Sequence, residues 1–166
     1  VRGGALVLAC ALASLAAAAS PAPPTRGVVV EEVGPGSAAA RAGLAPGDLL
    51  FAWERAASPP ANPRPAAGTL VSPFDLAEVE TEEAPKGALR LTGWRGGEAR
   101  AWEMPPGAWK LIAAPRFQGS SRDEYGRGRS EIAQGQAAQG IARWRRLAAA
   151  LAKGEPERAA WLYGRI

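Results

Sequence analysis

Apolar residues fall along this chain in short runs of two different periods. Val28-Val29-Val30 is a β-branched run and Leu49-Leu50-Phe51-Ala52-Trp53 a second apolar one, with Leu50 directed at the core; both predict strands. Between them Ser37 precedes the small-residue stretch Ala38–Ala42 and Gly43 follows it, which predicts a capped helix with a left-handed stop. Ser72 before Pro73 opens a second helix through Phe74-Asp75-Leu76-Ala77-Glu78-Val79-Glu80. Leu76 and Val79 lie one turn apart on its inward side, and the helix is expected to end before Pro85-Lys86-Gly87. Residues 88–95 and 98–104 alternate about Gly96-Gly97 and predict a β-hairpin. Residues 55–72 carry prolines at a spacing that opposes regular pairing and read as one long loop. From Ser121 onward the chain is rich in Ala, Arg and Gln; Gly135 divides two helices and Gly154-Glu155-Pro156 starts a third.

Composition narrows the chemistry. With 166 residues there is room for one ordinary domain or two small ones, and 20 Gly with 15 Pro mark many turns. Histidine is absent, which removes Ser-His-Asp and Cys-His catalysis and any His-ligated metal. Cys10 is the single cysteine, so no intrachain disulfide forms. Ser120, Ser121 and Lys110 have no recognisable dyad context, no catalytic group is nominated, and no cofactor is implied. The net charge of +4 is uneven: residues 1–115 hold ten Lys/Arg against eleven Asp/Glu, whereas residues 116–166 hold ten against five. A basic tail attracts anionic surfaces. No aromatic–basic motif of the RNA-binding kind accompanies it, so a solvated Arg-rich helical face is expected and nucleic acid is not.

Arg2 precedes an uncharged apolar run from Gly3 to Ala19, followed by Ser20-Pro21-Ala22-Pro23-Pro24. This is the pattern of a secretory signal peptide over residues 1–20, cut after Ala19 or Ser20. Two alternatives stay open: an uncleaved membrane anchor, and lipidation of Cys10 in Val7-Leu8-Ala9-Cys10. Either way the expected setting is exported, periplasmic or membrane-associated.

The order strand, Gly34-Pro35-Gly36-Ser37, Ala-rich helix, Gly43-Leu44-Ala45-Pro46-Gly47-Asp48, strand resembles the core of a bacterial PDZ domain. Helix and hairpin then follow in the PDZ order, and the resemblance spans residues 27–104. Its most specific elements are Gly43-Leu44, Gly47-Asp48 and Asp75-Leu76. Asp48 is expected to accept hydrogen bonds from amides of its own turn. The resemblance implies an α+β fold, a small β-barrel or sandwich with two helices, followed by an α-helical hairpin. The expected organisation is a Pro-rich linker at 21–26, a PDZ-like domain at 27–115, a linker at 116–120 and a helical segment at 121–166.

A PDZ domain binds an added strand between a strand edge and its second helix. The glycine-containing loop that captures a C-terminal carboxylate usually precedes the first strand, and here a Pro-rich linker holds that place. Pro105-Pro106-Gly107-Ala108-Trp109-Lys110-Leu111-Ile112-Ala113 resembles that segment displaced, as in circularly permuted bacterial PDZ domains. The resemblance implies peptide binding at Trp109, Lys110, Leu111 and Ile112, with carboxylate capture by amides from Trp109 to Leu111 and by the Lys110 charge. Asp75 and Val79 on the helix opposite are expected to contact ligand side chains. The plainer alternative makes 105–113 a closing strand and Val79 a core residue.

In the tail, Gly128, Gly140 and Trp144 stand at the spacing of the small, small and aromatic positions of a tetratricopeptide (TPR) motif, with Leu147 and Ala152 departing from it. Trp53, Trp94 and Trp102 are expected to pack on strands, and Trp144 and Trp161 between helices. Together these features point to an exported peptide-binding scaffold rather than an enzyme. It would recognise peptide C-termini or extended segments, and a membrane tether would run through its N-terminal segment. The alternatives are the regulatory N-terminal part of a larger PDZ-containing protease and a membrane-tethered structural protein with a basic helical tail.

Overall fold

The structure is a computed structural model and describes residues 24–166. The expected leader at 1–20, with Cys10, lies outside the described residues, as do residues 21–23 of the linker at 21–26. Six antiparallel strands form one sheet: β1 (Val28–Val33), β2 (Leu49–Arg55), β3 (Ala66–Thr69), β4 (Leu89–Arg95), β5 (Glu98–Met104) and β6 (Leu111–Pro115). Their order is β5-β4-β2-β1-β6, with β3 added to β2. The fold is α+β as expected, but the sheet is open rather than closed into a barrel, because β5 and β6 each pair with a single neighbour.

Local sequence accounts for the elements. Ser37 Oγ accepts from the Ala40 amide at the start of α1 (Ala38–Ala42), and Gly43 ends it at φ +82°. Gly96 and Gly97 turn the β4–β5 hairpin at φ +60° and +92°, the two left-handed residues that a tight two-residue loop demands. The loop expected over 55–72 contains β3. All its prolines precede Ala66, so the four residues 66–69 keep every amide and pair with Ala52–Arg55 of β2. The second helix also runs further than expected. α2 (Pro73–Glu78) continues as a π-helical turn over Val79–Glu83 and a 3-10 turn over Ala84–Lys86, which takes Pro85 where its missing N–H is harmless.

Two apolar clusters form. The first lies between the sheet, α1 and α2, and includes Val28, Val30, Leu50, Leu76, Leu91 and Trp102. The second joins α3 (Gly119–Ala133), α4 (Ala137–Leu151) and α5 (Pro156–Gly164) through Tyr125, Trp144, Leu147, Trp161 and Leu162. It also takes in Ala114 of β6 and Phe117 of the expected linker, so the helices pack against the end of the sheet. Gly128 and Gly140 let α3 and α4 approach closely: a Cβ on Gly128 would lie 2.3 Å from Trp144 Nε1, and one on Gly140 would lie 2.6 Å from the Gly128 carbonyl oxygen. No helix among the described residues is long and apolar enough to cross a membrane.

Candidate functional site

β6 pairs with β1 alone, so its other edge carries backbone donors and acceptors with no strand partner. α2 lies beside that edge, and a shallow cleft of about 270 Å³ separates them. Leu76, Ala77 and Glu80 line its helical wall; Leu111, Ile112 and Ala113 line the strand. Ile112 is 38% exposed, a large apolar side chain left open beside a free strand edge. Arg165, just beyond α5, also borders the cleft.

The segment leading into β6 is held tightly. Trp109 is 1% exposed and belongs to the first apolar cluster, so its side chain supports the loop from beneath and its backbone is what the loop presents. The Ala38 amide at the start of α1 donates to the Ala108 carbonyl at 3.1 Å, and Arg41 Nη2 donates to the Pro106 carbonyl at 3.0 Å. Lys110 takes the left-handed conformation at φ +50° and its carbonyl accepts from the Gly34 amide at 2.9 Å. A Cβ on Gly34 would come within 2.8 Å of Lys110 Cβ, so only glycine admits this approach. A left-handed residue swings successive backbone amides toward one side, the arrangement that makes anion-binding concavities.

The loop already faces a carboxylate. Glu80 Oε1 accepts the Trp109 amide at 2.8 Å. Glu80 stands between the cleft and a second, larger recess of about 840 Å³ bounded by Ala84, Met104, Pro106 and Trp109. The helical wall is pinned behind it. Glu83 at the end of the π turn accepts from Arg55 Nε of β2 at 2.8 Å and from Lys86 Nζ at 2.7 Å. Lys86, then Arg55, hold the Glu83 carboxyl below the usual carboxylate range.

Of the residues singled out from sequence, the Trp109 backbone, Lys110, Leu111 and Ile112 come together where the loop meets β6. Asp75 and Val79 stand elsewhere. Asp75 Oδ2 accepts the amides of Val71 at 2.7 Å and Ser72 at 2.8 Å, closing a capping box at the start of α2, and is engaged in that task. Val79 is 3% exposed and packs in the first cluster. Ala77 and Glu80 take the cleft positions instead. The signal for them was present: with Pro73 and Leu76 they form one i, i+3, i+4 row. Arg165 had no such signal, since its place depends on how α5 docks.

Among the described residues, no group of three or more His, Cys, Asp or Glu is placed to hold a metal ion. The arrangement offers a free strand edge, a helical wall of Leu76, Ala77 and Glu80 opposite it, and the Trp109 amide held by the Glu80 carboxylate. No protein-family model matches this chain, and no curated protein matches it either.

Proposed function

We propose that this protein is a PDZ-type peptide-binding module, with a TPR-like helical segment packed against it, that takes an extended segment of another protein as an added strand on β6. The observation that carries the reading is the unpaired β6 edge facing α2 across the cleft lined by Leu76, Ala77 and Ile112. Strand addition draws affinity from main-chain hydrogen bonds and selectivity from pockets for alternate side chains. The cleft offers one such contact in Ile112, and Leu111 and Ala113 on either side of it turn partly into the first cluster. The task is recognition rather than catalysis. An exported setting belongs to the same reading and rests on the signal-like pattern of residues 1–20.

The test is selection of the full chain against a displayed library of short peptides, followed by amide chemical-shift mapping with the enriched peptides. Saturable shifts confined to Leu111–Ala113 and Leu76–Glu80 are expected. Ile112→Lys places a charge in the cleft at an exposed site, and should weaken binding by about tenfold or more while leaving the unfolding midpoint nearly unchanged. An unenriched library, or shifts that map away from β6, would sink the reading.

A further inference from the structure

We infer that Glu80 is a built-in carboxylate for the 107–111 loop, so that the cleft selects internal extended segments and rejects free C-termini. This rests on the strand-addition reading and deepens it by naming the ligand class. A chain entering beside β6 as a terminal strand would bring its carboxylate to the loop that opens the strand, on the side to which the Trp109 amide points. The Trp109 amide there is already bonded to Glu80 Oε1 at 2.8 Å. Pro105 and Pro106, earlier in the same loop, have no N–H to offer in its place.

Charge favours the same outcome. Glu80 is the carboxylate on the helical wall of the cleft; among the described residues it forms no ion pair, and Arg165 borders the cleft beyond α5. A terminal carboxylate would either sit against Glu80 at close range, which is repulsive, or displace it and break a charge-assisted hydrogen bond. An internal segment brings no charge of its own to this point and leaves the Glu80–Trp109 bond in place. Its added backbone continues past the loop over the recess between Ala84 and Pro106.

Two measurements on the full chain test this. In the first, acetate is titrated into wild type and Glu80→Ala while the Trp109 amide resonance is followed. A saturable shift in Glu80→Ala and none in wild type is expected, because the variant leaves the amide vacant. No saturable shift in the variant would overturn the inference. In the second, one peptide library is presented as free acids and as C-terminal amides. Wild type should take the amide pool at least as well as the acid pool. Glu80→Ala should gain affinity for free acids by about tenfold or more, the worth of one charge-assisted hydrogen bond, with amides unchanged. Glu80→Gln, which removes the charge and keeps an acceptor, should give a smaller gain, and it replaces Glu80→Ala if that variant does not fold. Wild type preferring free acids would overturn this inference and leave strand addition standing. If neither pool binds either protein, both fall together.

Discussion

Asp48 is almost wholly buried, and its two carboxylate oxygens are divided between two tasks. Oδ2 accepts the Ala45 amide at 2.8 Å and so closes the turn before β2; Arg95 of β4 reaches both oxygens and also donates to the Gly43 carbonyl at 2.8 Å. The partners differ in exposure: the Asp48 side chain is 1% exposed and that of Arg95 is 38%. Removing Arg95 therefore strands a buried carboxylate, whereas removing Asp48 leaves a guanidinium that can turn into water. Arg95→Ala should cost about 3 kcal/mol and Asp48→Ala about 2 kcal/mol in urea unfolding, with the double variant close to Asp48→Ala. The reverse order would mean that the turn hydrogen bond outweighs the ion pair. Two further carboxylates make stability depend on pH. Lys86 and Arg55 lower the Glu83 pKa, and Arg143 lowers that of Glu131. Carboxyls depressed in the folded state contribute stability above the ordinary carboxylate pKa of about 4.3, and that contribution is lost as pH falls through their lower folded values. The urea midpoint should fall steeply below about pH 4, and less steeply when Glu83→Gln and Glu131→Gln are combined. Asp48 as a turn acceptor was legible in sequence because its partner amide lies three residues away. The Arg95 partnership was not, since it joins residues 47 positions apart. The burial of the Trp109 side chain was likewise not legible, since it packs with residues far along the chain such as Val30, Leu76 and Met104.

At the scale of elements, caps, turns and the inward positions Leu50, Leu76 and Val79 were readable, and departures from regular structure were not. Ser37, Gly43, Ser72-Pro73 and the Gly96-Gly97 hairpin each depend on contacts within a few residues, and each stands where expected. The π turn after Glu78 was not readable, because nothing in Val79–Glu83 distinguishes it from an ordinary helix. β3 was hidden by the prolines before it. The helical hairpin lets opposing terms be compared at two glycines of one helix. Gly126 is exposed, with nothing within 4 Å of an added Cβ, so Gly126→Ala should stabilise by up to about 1 kcal/mol through helix propensity. Gly128 gains the same propensity but would drive a methyl into the Trp144 ring. That ring is stacked on Tyr125 at 5.2 Å and donates through Nε1 to the Tyr125 carbonyl, so it cannot withdraw. Overpacking of about 1–3 kcal/mol then wins, and Gly128→Ala should destabilise in thermal unfolding. Equal effects at both glycines would show that the α3–α4 contact is loose.

At the scale of the whole molecule, β6 is where the two apolar clusters meet: Leu111 and Ala113 pack against the first, and Ala114 lies in the second. The helices are tied to the sheet beside it by one buried carboxylate. Glu31 of β1 accepts the Tyr125 hydroxyl at 2.7 Å, Arg129 Nη1 at 2.9 Å and Arg165 Nη2 at 3.2 Å, gathering donors from α3 and from the residue after α5. Burial, then the bond to Glu31, push the Tyr125 hydroxyl far above its ordinary pKa, so it stays a donor at any physiological pH. Glu31→Gln keeps an acceptor for Tyr125 but removes the charge that holds both arginines. Because both guanidiniums reach solvent, the loss should be moderate, about 1.5–3 kcal/mol, as expected for charge-assisted hydrogen bonds. The apolar contact through Phe117 and Ala114 opposes complete release, so the variant should stay folded with its helices loosened. Faster amide exchange is expected across α3 and α5, with β2, β4 and β5 unchanged. Arg165 borders the cleft, so the same variant should open that side of it and alter the affinity of any strand bound on β6. Exchange that stays at wild-type rates would mean that apolar packing alone docks the helices. The helical segment would then have no electrostatic hold on the cleft, and the two halves would communicate through the apolar contacts of β6 and Phe117.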